Sequence, residues 1–303
     1  MARRSGLRRS GGSGGRSEIR AARRRLRDLH HRRGIMSAGH SLPVPMLTLH
    51  SFVISHFSEK IRWTLGACGV PFREHALTPG LHMTMTPFIG RRGSSVPIIT
   101  GDGLRVQGSD RILRRLATRG LIDSLLPDED EARDELLVAA ASHEALGQAV
   151  MRAAYAPLIG DPATVLRLWT LAANPAQVLV LKSLMPLLLP MFRQRFRIDA
   201  RTLAQARNGI ETTLDRIAER RGNRAYLGAA FGIEDLTVCA LLAPLAGPDA
   251  HPLYGHAEFR AVAADAVAPW TRHPTLVWVR DVYARKRGAE PADSALVMAA
   301  ARL

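Results

Sequence analysis

The first residues of this chain that could do chemistry form a short polar turn, Ser55-His56-Phe57-Ser58, between an apolar stretch and a helical pattern. A free thiol has a pKa near about 8.5, so little of it is thiolate at neutral pH. A helix N-terminus favours an anion by about 0.3–1 kcal/mol, and a hydroxyl that donates to a thiolate adds roughly 1.5–3 kcal/mol. Together these effects lower a thiol pKa by about two units. A hydroxyl at this turn could therefore stabilise a bound thiolate, with Ser55 as donor and Ser58 as the alternative, but taken alone Ser55 fits a simple helix N-cap better.

Two further motifs follow this turn along the chain. Ser95-Val96-Pro97 opens a strand, and Gly108-Ser109-Asp110 lies where the next strand gives way to a helix. An X-Pro bond is cis in only about 5–6% of cases, so Val96-Pro97 alone also fits a trans proline at the start of an edge strand. Ser109 can hold a carboxylate at a helix N-terminus. Arg91 or Arg92 supplies a loop cation or remains a solvated side chain.

Alternating strands and helices must position these motifs. Apolar spacing and turn residues predict strands at 47–52, 72–77, 97–100 and 104–107, with helices beginning near Phe57 and Ser109. Gly101-Asp102-Gly103 predicts a hairpin between the last two strands. Residues 78–95 are rich in Pro and Gly and predict a loop with at most one short helix.

The second half of the chain has a helical period. Residues 121–130 indicate a linker, 131–287 an all-helical domain of common size, and 288–303 a loose tail. The apolar segment 178–192 is shorter than the ~20 residues of a membrane-spanning helix, and Lys182, Pro186 and Pro190 interrupt it. It therefore predicts a buried or pocket-lining helix and no membrane association.

The element order β-α-β-loop-β-β-α and the three motifs together resemble the glutathione S-transferase superfamily. The resemblance covers Met46 to about Arg287. It implies an α/β thioredoxin-like N-terminal domain (46–120) that binds glutathione, followed by an all-α helical C-terminal domain (131–287). Ser55-x-x-Ser58 also occupies the Cys-x-x-Cys position of glutaredoxins with both sulfurs replaced, which excludes a dithiol redox reaction.

The resemblance also implies roles for individual residues. Ser55 would be catalytic through the glutathione thiolate, and Val96 with a cis Pro97 would contact the cysteinyl part of glutathione. A fourth match, Asp235 before the apolar run 238–242, resembles the capping box of a core helix in the family. Three positions depart from the family pattern: His56 replaces a frequent Pro, Gly108 replaces an acidic or amide residue, and Gly232 replaces a Ser or Thr N-cap. The remaining residues implied to contact glutathione are Ser58, Arg92, Ser109 and Asp110, and those implied to line the substrate pocket are His56, Met151 and Tyr155.

The activity implied by the resemblance is attack of glutathione, as co-substrate, on an electrophilic and apolar small molecule, as in detoxification, by a cytoplasmic homodimer. The alternative is a non-catalytic binding or interaction protein of the same fold. Two distant cysteines, Cys68 and Cys239, suit a reducing compartment and form no metal or disulfide pattern. The eleven His show no ligand spacing, so no metal is expected.

The formal charge of +15 arises mainly from residues 1–45, which carry twelve Arg and no Lys against two acidic residues. This Arg- and Gly-rich segment is too polar to fold alone and is predicted to be disordered. It fits an organelle transit peptide, a nucleic-acid-binding arm, or an upstream extension before a true start at Met36 or Met46. Because the rest of the chain carries little net charge and the segment has no aromatic residues, nucleic-acid binding is the least favoured of these functions.

Overall fold

The computed structural model of the protein describes residues 46–90, 93–291 and 293–303. The predictions for residues 1–45, Arg91 and Arg92 therefore lie outside the described residues. Within them, a four-stranded sheet with flanking helices is followed by a helical region, which confirms the predicted fold class.

The sheet has the strand order β2-β1-β3-β4. Its strands are β1 (Leu47–Ser51), β2 (Phe72–Ala76), β3 (Ile98–Gly101) and β4 (Leu104–Gln107). β1 pairs parallel with β2 and antiparallel with β3, and β3 pairs antiparallel with β4. The predicted hairpin is confirmed, and positive φ angles at Gly101, Asp102 and Gly103 allow its tight turn.

Three helices accompany the sheet: α1 (His56–Ala67), the short α2 (Thr86–Ile89) and α3 (Ser109–Thr118). The sheet with these helices is called the first domain below, and the helical region that follows it the second domain. α3 buries Ile112, Leu113 and Leu116 on the predicted face. α1 is buried on nearly all sides because it lies between the sheet and helix α9 of the second domain. Its position makes α1 the element that joins the two domains.

The second domain is built around α9 (Ile233–Ala246), every residue of which is buried. The carboxylate of Asp235 accepts hydrogen bonds from the Gly232 N–H at 3.0 Å and the Leu227 N–H at 2.7 Å, so it starts this helix without a hydroxyl at Gly232. The other helices are α4 (Asp130–Ser142), α5 (Glu144–Tyr155), α6 (Pro162–Trp169), α7 (Pro175–Arg195), α8 (Ala200–Arg221), α10 (Ala257–Val267) and α11 (Pro274–Lys286).

The C-terminal segment differs from the loose tail that the sequence predicts. Ala295–Ala300 forms a further helix, α12, which buries Leu296 and Ala299 beside Val53 and Leu253. Arg302 donates hydrogen bonds to two backbone carbonyls after α6. Two apolar residues three positions apart are enough to anchor this short helix once a complementary surface is present.

Helix α7 also differs from the prediction of a buried or pocket-lining helix. Only 22% of its most apolar window is buried, and the mean hydropathy of that window is 1.5. In the described part of the chain it is the one helix whose length and composition would allow it to cross a membrane. One side of α7 packs on the protein while the other faces outward.

Candidate functional site

The register of the sheet brings the three polar motifs to one end. His50 on β1 lies opposite Ile98 on β3, and Ile98 lies opposite Gln107 on β4. The end of β1, the residue before β3 and the residue after β4 are therefore neighbours. The Gly108 N–H donates to the Pro97 carbonyl at 2.9 Å, and the Val96–Pro97 bond is cis, as the resemblance implies.

Ser55 is the N-cap of α1. Its Oγ accepts a hydrogen bond from the Ser58 N–H at 3.3 Å. A hydroxyl has one donor and two acceptor positions, and within the described residues the Ser55 hydroxyl donates to no other group. Capping and donation to a thiolate are therefore compatible. Ser58 is fully buried and its Oγ has no partner in the described part of the chain, so Ser55 is the better placed of the two hydroxyls.

His56 anchors the turn to the second domain. Its Nε2 lies 3.0 Å from the Gly147 carbonyl on α5, and because that carbonyl only accepts, Nε2 donates. Burial lowers the pKa of His56 to about 4, so the ring is neutral at pH 7. The adjacent Phe57 ring packs on Gly147, where an added Cβ would lie 2.5 Å from the ring. Gly147 is thus required for this close approach.

Behind the turn, α1 carries a buried group of charges. Glu59 and Arg62 are each about 1% exposed at the side chain, and Glu59 also pairs with Arg287 at 2.8 Å. Burial opposes ionisation of Glu59, but Arg287, His251 and Arg62 outweigh it and hold the pKa of that carboxyl well below its usual range. This group ties α1 to the end of α11 and fixes the direction of the helix that carries Ser55.

At the start of α3, Ser109 is 4% exposed and Asp110 forms an ion pair with the buried Lys60 of α1. Asp110 is therefore engaged with the protein. Gln107 is likewise engaged, because its amide donates to the Ser95 carbonyl at 2.7 Å. Both side chains thus already have a partner within the protein next to Gly108.

Sequence reasoning missed Arg111, whose side chain turns back over Gly108. A Cβ at Gly108, where φ is +94°, would lie 3.2 Å from Arg111 Nη2 and 3.4 Å from Nε. The guanidinium thus fills the space of a side chain at 108 and brings a cation to the N-terminus of α3. A long side chain three residues after an N-cap can reach back in this way, and that spacing was the available signal.

An apolar cavity of about 40 Å³ lies beside the turn. Ile54 and His56, on either side of Ser55, both line it, as do Met151 and Tyr155 from α5. Tyr254, whose hydroxyl donates to the Ile54 carbonyl at 3.0 Å, also lines the cavity. Drug-sized ligands occupy about 300–1,000 Å³, so in this conformation the cavity admits only a very small molecule.

Within the described residues, no group of three or more His, Cys, Asp or Glu is placed to hold a metal ion. Cys68 is half-buried and Cys239 buried, and burial raises the pKa of both thiols. Neither cysteine lies in the site described above.

Comparisons with known proteins agree with this fold. Residues 49–120 match the family profile described as glutathione S-transferase, N-terminal domain. A glutathione S-transferase of Methylobacterium radiotolerans, solved in complex with glutathione sulfonate, is 20% identical with a TM-score of 0.50, covering 81% of this chain and 96% of its own. The beta-etherase LigF of Sphingobium is 19% identical with a TM-score of 0.50, covering 78% of this chain and 99% of its own.

A comparison with curated protein sequences finds no match. At these identities the two solved structures show a shared fold, and the profile match adds the sequence pattern of the first domain. Residues 49–120 therefore carry the sequence pattern of a glutathione S-transferase N-terminal domain, and the described chain shares the fold of the solved glutathione S-transferase.

Proposed function

We propose that the protein binds glutathione and activates its thiol for attack on an electrophilic carbon of a small apolar molecule. One observation carries this proposal: Ser55 caps α1 at the end of the sheet where Pro97 and the start of α3 also lie. In support, the structure solved from Methylobacterium radiotolerans contains glutathione sulfonate.

In the proposed complex, residues of this site meet the thiol, the cysteinyl unit and the γ-glutamyl carboxylate, and Arg92, outside the described residues, is assigned to the glycyl carboxylate. Ser55 donates to the thiolate, and the backbone of Val96 beside Pro97 contacts the cysteinyl unit. Ser109, the N–H groups at the start of α3 and the Arg111 guanidinium hold the γ-glutamyl carboxylate. Asp110 acts by fixing the start of α3 through Lys60, and Arg92 supplies a cation for the glycyl carboxylate.

The proposed reaction needs no protein base. The thiol of bound glutathione releases its proton to solvent, because the helix N-terminus and the Ser55 hydroxyl lower its pKa below the pH. The thiolate sulfur then forms a bond to the electrophilic carbon, and the electron pair leaves with the departing group or enters the acceptor. His56 is neutral and orients the turn.

The acceptor is restricted by the cavity. Its lining by Ile54, Met151 and Tyr155 is apolar, but its volume is only about 40 Å³. A compact apolar electrophile fits best, and a larger acceptor requires the half-buried side chains of α5 and α10 to move apart. We further propose a cytoplasmic homodimer, which sedimentation equilibrium of the purified protein tests.

The experiment is isothermal titration of glutathione into the protein and its Ser55→Gly, Ser55→Ala and Ser109→Ala variants. Glycine keeps most of the capping stability, within a few tenths of a kcal/mol, while removing the hydroxyl. We expect Ser109→Ala to weaken binding. We expect both Ser55 variants to return the bound thiol pKa, followed by thiolate absorbance, toward about 8.5. No binding by the parent protein would overturn the proposal.

The second candidate is a non-catalytic binding protein of the same fold. The small cavity and the glycine at position 108 favour it. It predicts that glutathione either does not bind or binds with an unshifted thiol pKa, and that compact electrophiles give no turnover above the uncatalysed rate.

A further inference from the structure

Helix α7, Pro175–Arg195, has two apolar faces, of which one is uncovered. Its buried face packs on α6 and on the turn before α2 through Leu181, Met185, Leu188 and Leu189. Its outer face carries five large apolar side chains that are more than a third exposed: Leu179, Val180, Leu184, Leu187 and Met191. At 3.6 residues per turn these five fall within a sector of about 140°. This sector is called the outer face below.

The segment that carries the outer face is basic, although the exposed Asp199 follows directly after it. From Pro175 to Ile198 the chain has no Asp or Glu and four basic residues, Lys182, Arg193, Arg195 and Arg197. Three of the four follow one another at the C-terminal end of the helix, where their side chains are exposed. An apolar sector bordered by cations complements a bilayer with anionic headgroups, and each Lys or Arg strengthens such binding about fivefold.

The types of residue on the outer face favour lipid over a protein partner. Energetically dominant positions of protein interfaces are enriched in Trp, Tyr and Arg, whereas Leu and Val are under-represented. The outer face is aliphatic at its centre and has Arg only at one end. Because the opposite side of the helix is held by the protein core, α7 can lie along a membrane surface but cannot cross it without leaving the fold.

We propose that α7 docks on an anionic membrane surface, with Leu179 and Leu187 in the acyl boundary and Arg195 and Arg197 at the phosphates. This docking departs from the sequence-based expectation of no membrane contact, and it does not depend on the proposed transferase activity. The Phe192 ring on the inner side lies 5.1 Å from the ring of Tyr155, which lines the cavity. When α7 docks, the cavity and the membrane therefore lie on opposite sides of this one helix, and the membrane is a source of apolar molecules.

The test is co-sedimentation of the full-length protein with vesicles of phosphatidylcholine alone or mixed with phosphatidylglycerol. The Arg-rich residues 1–45 are common to all variants, and their positive charge would attract anionic lipid. The apolar contribution is therefore read at high salt, where charge is screened. We expect Leu179→Gln/Leu187→Gln to lower partitioning at least about tenfold. The matched control, Val138→Gln/Val277→Gln, alters two comparably exposed residues on α4 and α11 and should leave partitioning unchanged.

A second pair of variants tests the charges. Arg195→Gln/Arg197→Gln should weaken binding to the anionic vesicles about fivefold per arginine at low salt, with Arg207→Gln/Arg216→Gln on α8 as control. All these side chains are exposed, so the variants should keep the fold, which circular dichroism checks. Equal partitioning of the leucine variant and its control overturns the proposal. So does a leucine variant that dissociates a dimer without changing vesicle binding, because a second copy would then be the occupant.

Discussion

At the scale of single residues, the position of Ser55 depends on Gly147. This glycine on α5 accepts the His56 hydrogen bond and leaves room for the Phe57 ring. The residues that follow the proposed catalytic serine are thus held by the second domain rather than by the sheet. A substitution at Gly147 can therefore shift the turn that carries Ser55, although Gly147 does not contact Ser55 itself.

Gly147→Ala should therefore destabilise the protein by about 1–3 kcal/mol, because the new Cβ overpacks the Phe57 ring. It should also reduce glutathione affinity, since the turn that carries Ser55 must shift. Gly209→Ala on α8 is the control, because a Cβ there meets nothing within 4 Å. The control should stabilise by about 0.5–1 kcal/mol. Urea unfolding measures the stability of both variants. An equal change in the free energy of unfolding for Gly147→Ala and Gly209→Ala would contradict this role of Gly147.

Arg111 is the second residue whose role is local. Its guanidinium lies over Gly108 at the N-terminus of α3, where the γ-glutamyl carboxylate is proposed to bind. Arg111→Ala should lower glutathione affinity by about tenfold or more, as expected for loss of a hydrogen bond to a charged group. The exposed Arg114 on the same helix is the control.

An analogue of glutathione that lacks the γ-glutamyl α-carboxylate tests whether Arg111 acts on that carboxylate. The parent protein and Arg111→Ala should bind the analogue with equal affinity, because the group that Arg111 contacts is absent. If Arg111→Ala weakens both ligands alike, the arginine acts on the fold and not on the carboxylate.

At the scale of elements, α1 is held between the domains by buried charges rather than by apolar packing alone. Glu59 on α1 binds Arg62 of the same helix and Arg287 after α11. Replacing such a group by apolar residues can be neutral, but removal of one partner leaves an uncompensated buried charge. The link between the domains is therefore sensitive to single substitutions.

Arg287→Ala should lower the free energy of unfolding by about 3–5 kcal/mol, because Glu59 stays buried with less positive charge beside it. The Arg285→Ala variant, two residues earlier, loses exposed contacts with Asp281 and Tyr226 and should cost about 1 kcal/mol. Chemical denaturation of both variants provides the measurement. A similar cost for the two would show that the buried pair contributes no more than a surface pair.

At the scale of the whole molecule, histidines whose pKa values are lowered by burial make stability depend on pH; His251 is one of them, and three others have pKa values of about 4. Burial lowers the pKa values of His50, His56 and His82 to about 4 in the folded state, whereas an unfolded histidine has a pKa near about 6.5. Between these values the unfolded chain binds more protons than the folded one. The contribution of these neutral histidines to the free energy of unfolding is therefore complete above about pH 6.5 and is lost as the pH falls toward 4.

The free energy of unfolding should thus fall by up to about 1.4 kcal/mol per pH unit for each of these histidines in that window. His56→Asn retains a donor for the Gly147 carbonyl and should reduce the slope by about one proton. Urea unfolding at several pH values from 7.5 downward measures the slope. An unchanged slope in His56→Asn would show that His56 titrates normally in the folded protein.

Local signals determined a large part of this protein. The hairpin at Gly101-Asp102-Gly103 depends on residues that accept positive φ, and the inner face of α3 follows from helical spacing. The Ser55 cap needs only a hydroxyl and an N–H three residues away. Such features depend on neighbours within one turn, so the sequence by itself predicts them, and the order of elements follows.

Only the tertiary structure decided which polar and apolar groups are covered. Glu59 looks like a solvated helix residue until Arg287 is brought beside it, and Leu296 looks like part of a tail until it meets Val53. The exposure of the outer face of α7 and the position of the Arg111 guanidinium over Gly108 are likewise set by how the elements pack. Burial and pairing between residues far apart in the chain depend on how the elements pack, and apolar spacing along the chain carries no information on which face will find a partner.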